Sequence, residues 1–167
     1  MPTSPSREVS IRVSIASQTL FLLKEGEIAK TFSISTALNG AGELQNTGCT
    51  PRGKHRIRAC IGTGLPINTV FIGRRPTGEI YSDSLAKNHP ERDWVLTRIL
   101  WLCGEEVGRN RLGVVDSMRR YIYIHGTPDT EPMGVPKSHG CIRMTNDDLL
   151  ILFDEVGAGT PVYITEE

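Results

Sequence analysis

No apolar run in this sequence approaches the roughly 20 residues that a membrane-spanning helix needs, so no transmembrane helix is expected. Neither sign of charge is in excess. Nineteen Lys and Arg balance nineteen Asp and Glu, which leaves no basic footprint for nucleic acid or for a membrane surface. Internal repeats and low-complexity tracts are absent. The four cysteines, Cys49, Cys60, Cys103 and Cys141, show no disulfide-framework spacing. If Cys141 is reserved for chemistry, three remain, and an odd remainder leaves at least one more thiol free. Reduced thiols are the simpler reading. The opening stretch Met1–Glu8 has no apolar core of the kind a secretory leader carries. A native start at Met1 is then the simplest account, and it implies a cytoplasmic location. Residues 1–8 read as a short tail and 9–167 as a single domain, long enough to bury a real core.

What is present is mostly β pattern. Val9–Ile15 alternates apolar Val9, Ile11, Val13 and Ile15 with polar Ser10, Arg12 and Ser14, the mark of a half-buried strand. Thr19–Leu23 and Ala29–Ser35 continue it, with a turn over Lys24–Glu27, so the first third predicts an antiparallel meander. A Gly- and Asn-rich loop follows over Leu38–Gly48. His55–Cys60 predicts a strand with Arg56 and Arg58 on its outer face, and Val70–Ile72 a short strand. Ser82–Asp93 is polar and predicts a loop, either a flap over a site or an ordinary surface loop. Trp94–Trp101 reads as a core strand whose tryptophans pack. His55 and His89 sit in polar contexts and read as surface residues.

The chemistry concentrates between His125 and Met144. Tyr121–Ile124 is β-branched and aromatic, so it predicts a buried strand delivering His125 to its end. Sixteen positions on comes Cys141, within Ser138-His139-Gly140-Cys141-Ile142-Arg143-Met144. Asn146-Asp147-Asp148 ahead of Leu149–Phe153 predicts a capped helix, ended by Gly157 and Gly159. Pro161–Thr165 closes the chain as a strand. The cysteine therefore belongs on a turn before a helix, facing a histidine fixed to a strand. A free thiol is only a few per cent ionised at neutral pH. A histidine within reach takes its proton, and an imidazolium partner lowers the thiol pKa further. The amides of Gly140 and Cys141 are placed to line an oxyanion hole. His125, His139 and Cys141 are also zinc-ligand types. They lack a paired C-x-x-C or H-x-x-x-H knuckle, so the reading carries no metal and no cofactor.

The block His125-Gly126-Thr127 with Ser138-His139-Gly140-Cys141-Ile142-Arg143-Met144 resembles the signature of the YkuD-type L,D-transpeptidases, bacterial cysteine enzymes of the cell-wall peptide. Ser35-Thr36-Ala37, Thr50-Pro51-Arg52-Gly53-Lys54-His55-Arg56-Ile57 and the last strand extend the likeness over nearly the whole chain. The resemblance implies a compact, mainly β fold, a β-sandwich of mixed sheets with one helix after the cysteine. It implies Cys141 as nucleophile and His125 as general base, oriented by the Gly126 carbonyl. His139 would line the site. Arg143, Ser138 and Tyr123 would face the substrate, Arg143 by pairing with a carboxylate and Ser138 by fixing the turn. The implied substrate is the tetrapeptide stem of peptidoglycan, cut between diaminopimelate and the terminal D-alanine through a thioester. Water as acceptor gives a tripeptide, the favoured outcome for a cytoplasmic L,D-carboxypeptidase of peptidoglycan recycling. An amine acceptor gives a cross-link or a D-amino-acid exchange, and a non-enzymatic peptide-binding module is the remaining alternative. Carbapenems, which acylate such cysteines, are implied as adducts at Cys141.

Overall fold

The computed structural model describes residues 8–167. The tail expected over 1–8 lies, but for Glu8, outside the described residues. Three strands open the chain as the alternation predicts: β1 (Val9–Ser14), β2 (Thr19–Lys24) and β3 (Glu27–Ser33), paired antiparallel in sequence. After the loop come β4 (Gly53–Ile61), β5 (Thr69–Ile72), β6 (Arg75–Ile80), helix α1 (Asp83–Asn88) and β7 (Val95–Gly104). A 3-10 turn at Gly113–Val115 leads to β8 (Tyr123–Gly126) and β9 (Ile142–Met144). Helix α2 (Asn146–Glu155) and β10 (Pro161–Thr165) complete the fold.

All ten strands belong to one mixed, hydrogen-bonded sheet. Its main path runs β3-β2-β1-β10-β4-β7-β5-β6, and β8 and β9 branch from β7. The β1–β10 and β8–β9 pairs are parallel. The sheet closes on itself around one core. Ile11 and Val13 of β1, Leu20 and Leu22 of β2, and Val162 and Ile164 of β10 meet Leu100 and Leu102 of β7, Ile124 of β8, and Ile142 and Met144 of β9. Leu149 and Leu152 of α2 seal the same cluster. This is the sandwich arrangement, built from a continuous ladder rather than two separate sheets. No helix is long and apolar enough to cross a membrane among the described residues.

Several local expectations are corrected. The polar stretch 82–93 holds a short helix, α1, because Ser82 caps it by accepting from Leu85 N–H at 3.1 Å. Tyr121 is not in the strand that carries His125. It is 54% exposed at a left-handed turn (φ 57°), and β8 begins two residues later. The cysteine precedes strand β9 rather than the helix directly. The cap of α2 is Thr145, whose side chain accepts from Asp148 N–H at 3.2 Å. His55 is not on the surface. It shares the inward parity of Gly53 and Ile57 on β4, and its ring bonds Gly53 O (3.0 Å) and Ser117 Oγ (2.8 Å).

Candidate active site

Period-2 alternation sorts the two central strands into a core face and a reactive face. In β8 and β9, Ile124 pairs with Ile142 and both point into the main core. His125 pairs with Arg143 on the opposite face. One step earlier Tyr123 N–H donates to Cys141 Sγ at 3.4 Å, and both side chains join a second, smaller cluster with Phe71 and Ile99. Tyr123, His125, Cys141 and Arg143 therefore share one face because a strand gives them no other choice.

His125 is buried and locked. Its Nδ1 lies 2.6 Å from the Gly126 carbonyl, to which it donates, leaving Nε2 with the lone pair. Opposite it β7 is irregular: Leu96 pairs with Gly126 and Ile99 with His125, so Thr97 and Arg98 bulge out. Thr97 is held at φ 76°, a real outlier for a β-branched residue. Buried Asn146 holds this corner together. It accepts from Thr97 Oγ1 (2.6 Å) and donates to Asn68 Oδ1 (3.0 Å) and Thr127 O (3.1 Å). A Cβ on Gly126 would fall on Asn146 Oδ1 and 2.6 Å from Leu96 O, so only glycine fits there.

The cysteine turn is pinned from two sides. Ser138 Oγ accepts from Gly140 N–H (3.2 Å) and donates to Cys141 O, so Ser138 fixes the turn. The Gly140 amide is thereby spent within the turn, which leaves the Cys141 amide as the donor free for an oxyanion. Gly140 stands at φ 130°, where a side chain is strained, and Thr50 Oγ1 donates to its carbonyl at 2.9 Å. Ser35 exchanges both backbone bonds with Arg143 (2.8 and 2.9 Å), and Leu38 N–H donates to Ser138 O at 2.9 Å. Both upstream segments singled out in the sequence thus converge on the cysteine turn.

The thiol itself donates to Tyr121 O at 3.3 Å, and no hydrogen bond joins it to the His125 ring in this structure. Burial pushes the Cys141 thiol up to about 12, against which the Tyr123 amide acts only weakly. Burial likewise pushes His125 below the ordinary histidine range. Burial thus opposes charge on both groups, because desolvation penalises the thiolate and the imidazolium alike.

His139 is 73% exposed at the rim, where its Nδ1 lies 3.1 Å from Asp93 Oδ2. Arg143 is nearly buried. Its NH2 donates to Asp93 Oδ1 at 3.0 Å, NH1 lies 3.7 Å from Glu131, and Nε finds no partner. Burial alone would raise Asp93. The bond from His139 and the charges of His125 and Arg143 outweigh it and hold the carboxyl below its usual range. Sequence reasoning missed Asp93, as it missed Arg120. The Arg120 guanidinium donates to the carbonyls of Gly42 (3.3 Å), Glu43 (3.1 Å) and Cys49 (2.6 Å), clamping the glycine-rich loop beside the cysteine turn. A groove of about 440 Å³ runs past this point, lined by Arg120, Tyr121, Ile122, His139 and the Gln45–Gly48 loop. All four cysteines are unpaired. Among the described residues no three His, Cys, Asp or Glu side chains converge as a metal-binding set.

The L,D-transpeptidase catalytic domain (YkuD) family model matches residues 8–164. A putative L,D-transpeptidase YqjB of Bacillus subtilis is 48% identical over 44 residues, which is 26% of this chain and 25% of that protein. L,D-transpeptidase 3 from Mycobacterium tuberculosis superimposes with a TM-score of 0.59 at 16% identity, over 96% of this chain and 62% of that one. The LD transpeptidase LdtMt1, solved in complex with imipenem, gives 0.55 at 18% identity, over 95% and 59%. The chain matches 15–25% of the length of the curated relatives and about three fifths of these two solved chains.

Proposed function

The chain belongs to the L,D-transpeptidase catalytic-domain family, and on that premise we propose that it is a cysteine acyltransferase acting on peptidoglycan tetrapeptide stems. The observation that carries this reading is the shared face of Cys141 and His125, with the His125 Nδ1–H tied to Gly126 O and Nε2 left as acceptor. The thiol hydrogen leaves Tyr121 O and turns to Nε2 as Sγ attacks the carbonyl of the L-centre of diaminopimelate. The C–N bond to D-alanine breaks, His125 returns the proton to the departing amine, and a thioester remains on Cys141. The Cys141 amide faces the developing oxyanion. Water then releases a tripeptide and regenerates the thiol. Support for water as acceptor is the open rim, where Tyr121 is 54% and His139 73% exposed beside the cysteine turn. An amine following the same path gives transpeptidation. The four unpaired thiols fit a reducing compartment, and the cytoplasm is the proposed location.

Mass spectrometry of the protein with a disaccharide tetrapeptide, with and without excess free D-amino acid, tests this. Tripeptide with little exchange is expected. Dominant exchange or dimer would replace water by an amine. Unchanged turnover in Cys141→Ala would end the enzyme reading. Incubation with a carbapenem is expected to add its mass to the Cys141 peptide.

A further inference from the structure

Three arginine side chains contact residues of this site, and two are already committed. Arg143 is nearly buried and faces Asp93 and Glu131. Arg120 spends itself on three backbone carbonyls. The third is Arg74. Its NH1 donates to Tyr123 Oη at 3.1 Å, and its plane packs 4.4 Å from the Trp101 ring centre and 4.8 Å from that of Tyr121. Among the described residues no carboxylate lies within ion-pair distance of it.

Its backbone is equally unusual. Ile72 pairs with Arg75, so Gly73 and Arg74 alone make the turn between β5 and β6. Both have positive φ, 57° and 66°, the pattern of a type I′ turn, whose second position favours glycine. An arginine there is strained, and strain of this kind persists where the surroundings over-determine it. The rings of Trp101 and Tyr121 and the Tyr123 hydroxyl supply that constraint. They leave the in-plane N–H edge of the guanidinium as the part able to meet a ligand.

The position of this edge relative to the thiol gives it a use. Sγ is held between Tyr121 O (3.3 Å) and Tyr123 N–H (3.4 Å), and Arg74 rests on the side chains of the same two tyrosines. Arg74 is thereby joined, through two side chains, to both backbone partners of the thiol. We propose that Arg74 is a specificity-determining residue that receives the free C-terminal carboxylate of the leaving amino acid. The assignment rests on the acyl-transfer reading above.

The test compares a disaccharide tetrapeptide with the same stem amidated at its C-terminus, for wild type, Arg74→Gln and Arg74→Gly. Wild type is expected to prefer the acid at least tenfold in kcat/KM. Arg74→Gln is expected to raise KM for the acid tenfold or more, with kcat within threefold, and to leave the amide unchanged. Arg74→Gly relieves the turn, so its Tm should hold or rise while the acid preference disappears. Equal losses on acid and amide in both variants, or equal use of the two stems by wild type, would overturn the assignment. No turnover of either stem by wild type would overturn the acyl-transfer reading and this one together, and it shows before any variant is compared.

Discussion

Asp93 Oδ2 lies 3.1 Å from His139 Nδ1, while the other oxygen of the same carboxylate accepts from Arg143 at 3.0 Å. One acidic residue, at the end of a segment that reads as an unremarkable polar loop, thus ties the rim of the site to its floor.

Replacing that carboxylate is the first test. Asp93→Asn leaves nearly buried Arg143 with Glu131 alone at 3.7 Å. Losing a charged partner costs roughly 1–3 kcal/mol, and the low end applies because the Asp93 side chain is 43% exposed. A Tm fall of about 2–4 °C is expected at pH 7. Because the folded pKa of Asp93 is depressed, its contribution is present above the ordinary carboxylate pKa and lost as pH falls through the lower folded value. The gap between wild type and variant should therefore shrink below about pH 4.

A second expectation concerns the thiol. With Cys141 pushed up to about 12, alkylation of its peptide by iodoacetamide should rise about tenfold per pH unit from pH 6 to 9 without levelling. Peptide mass mapping separates Cys141 from Cys49, Cys60 and Cys103. A plateau near neutrality would mean a resting thiolate–imidazolium pair, with the effect of burial outweighed. Removing the base by His125→Ala should lower kcat on the order of 10²–10⁴-fold.

His55 makes a third, independent prediction. Burial lowers its pKa from 6.5 to about 4. The unfolded chain then binds more protons between those values, so the stability His55 contributes is complete above 6.5 and drains away as pH falls toward 4. The total is about 3 kcal/mol. His55→Gln keeps an acceptor for the Ser117 hydroxyl but cannot titrate, and a plot of unfolding free energy against pH should flatten in that window. Some slope will remain, since buried His125 titrates with the same sign.

Gly126→Ala should be among the most damaging small substitutions. Its methyl group meets Asn146 Oδ1 and the Leu96 carbonyl, both part of the corner that sets His125. Overpacking of this kind costs roughly 1–3 kcal/mol. Calorimetry should show the fall, and activity should drop further than the population of folded protein explains.

How far the sequence reached depends on the distance of each signal. The β1–β3 meander and the closing strand follow from short-range alternation and were legible. So was the pairing of a strand-end histidine with the Ser-His-Gly-Cys turn. His55 was misplaced although its parity with Ile57 on β4 pointed inward, because its polar partner Ser117 lies 62 residues away. Asp93, Arg74 and Arg120 gave no local sign, since their contacts are with segments dozens of residues distant. The charge carried by Cys141 and His125 was not legible for a different reason. Residue types announce reactivity, but the degree of burial decides charge.

The alternation along β8 and β9 separates two kinds of evolutionary freedom. Ile124, Ile142 and Met144 answer to the core, whereas Tyr123 and Arg143 lie on the face that carries Cys141. Mutations can retune recognition on one side of these strands while the other side keeps the protein folded. The same backbone can therefore be fitted to new ligands without first being made more stable.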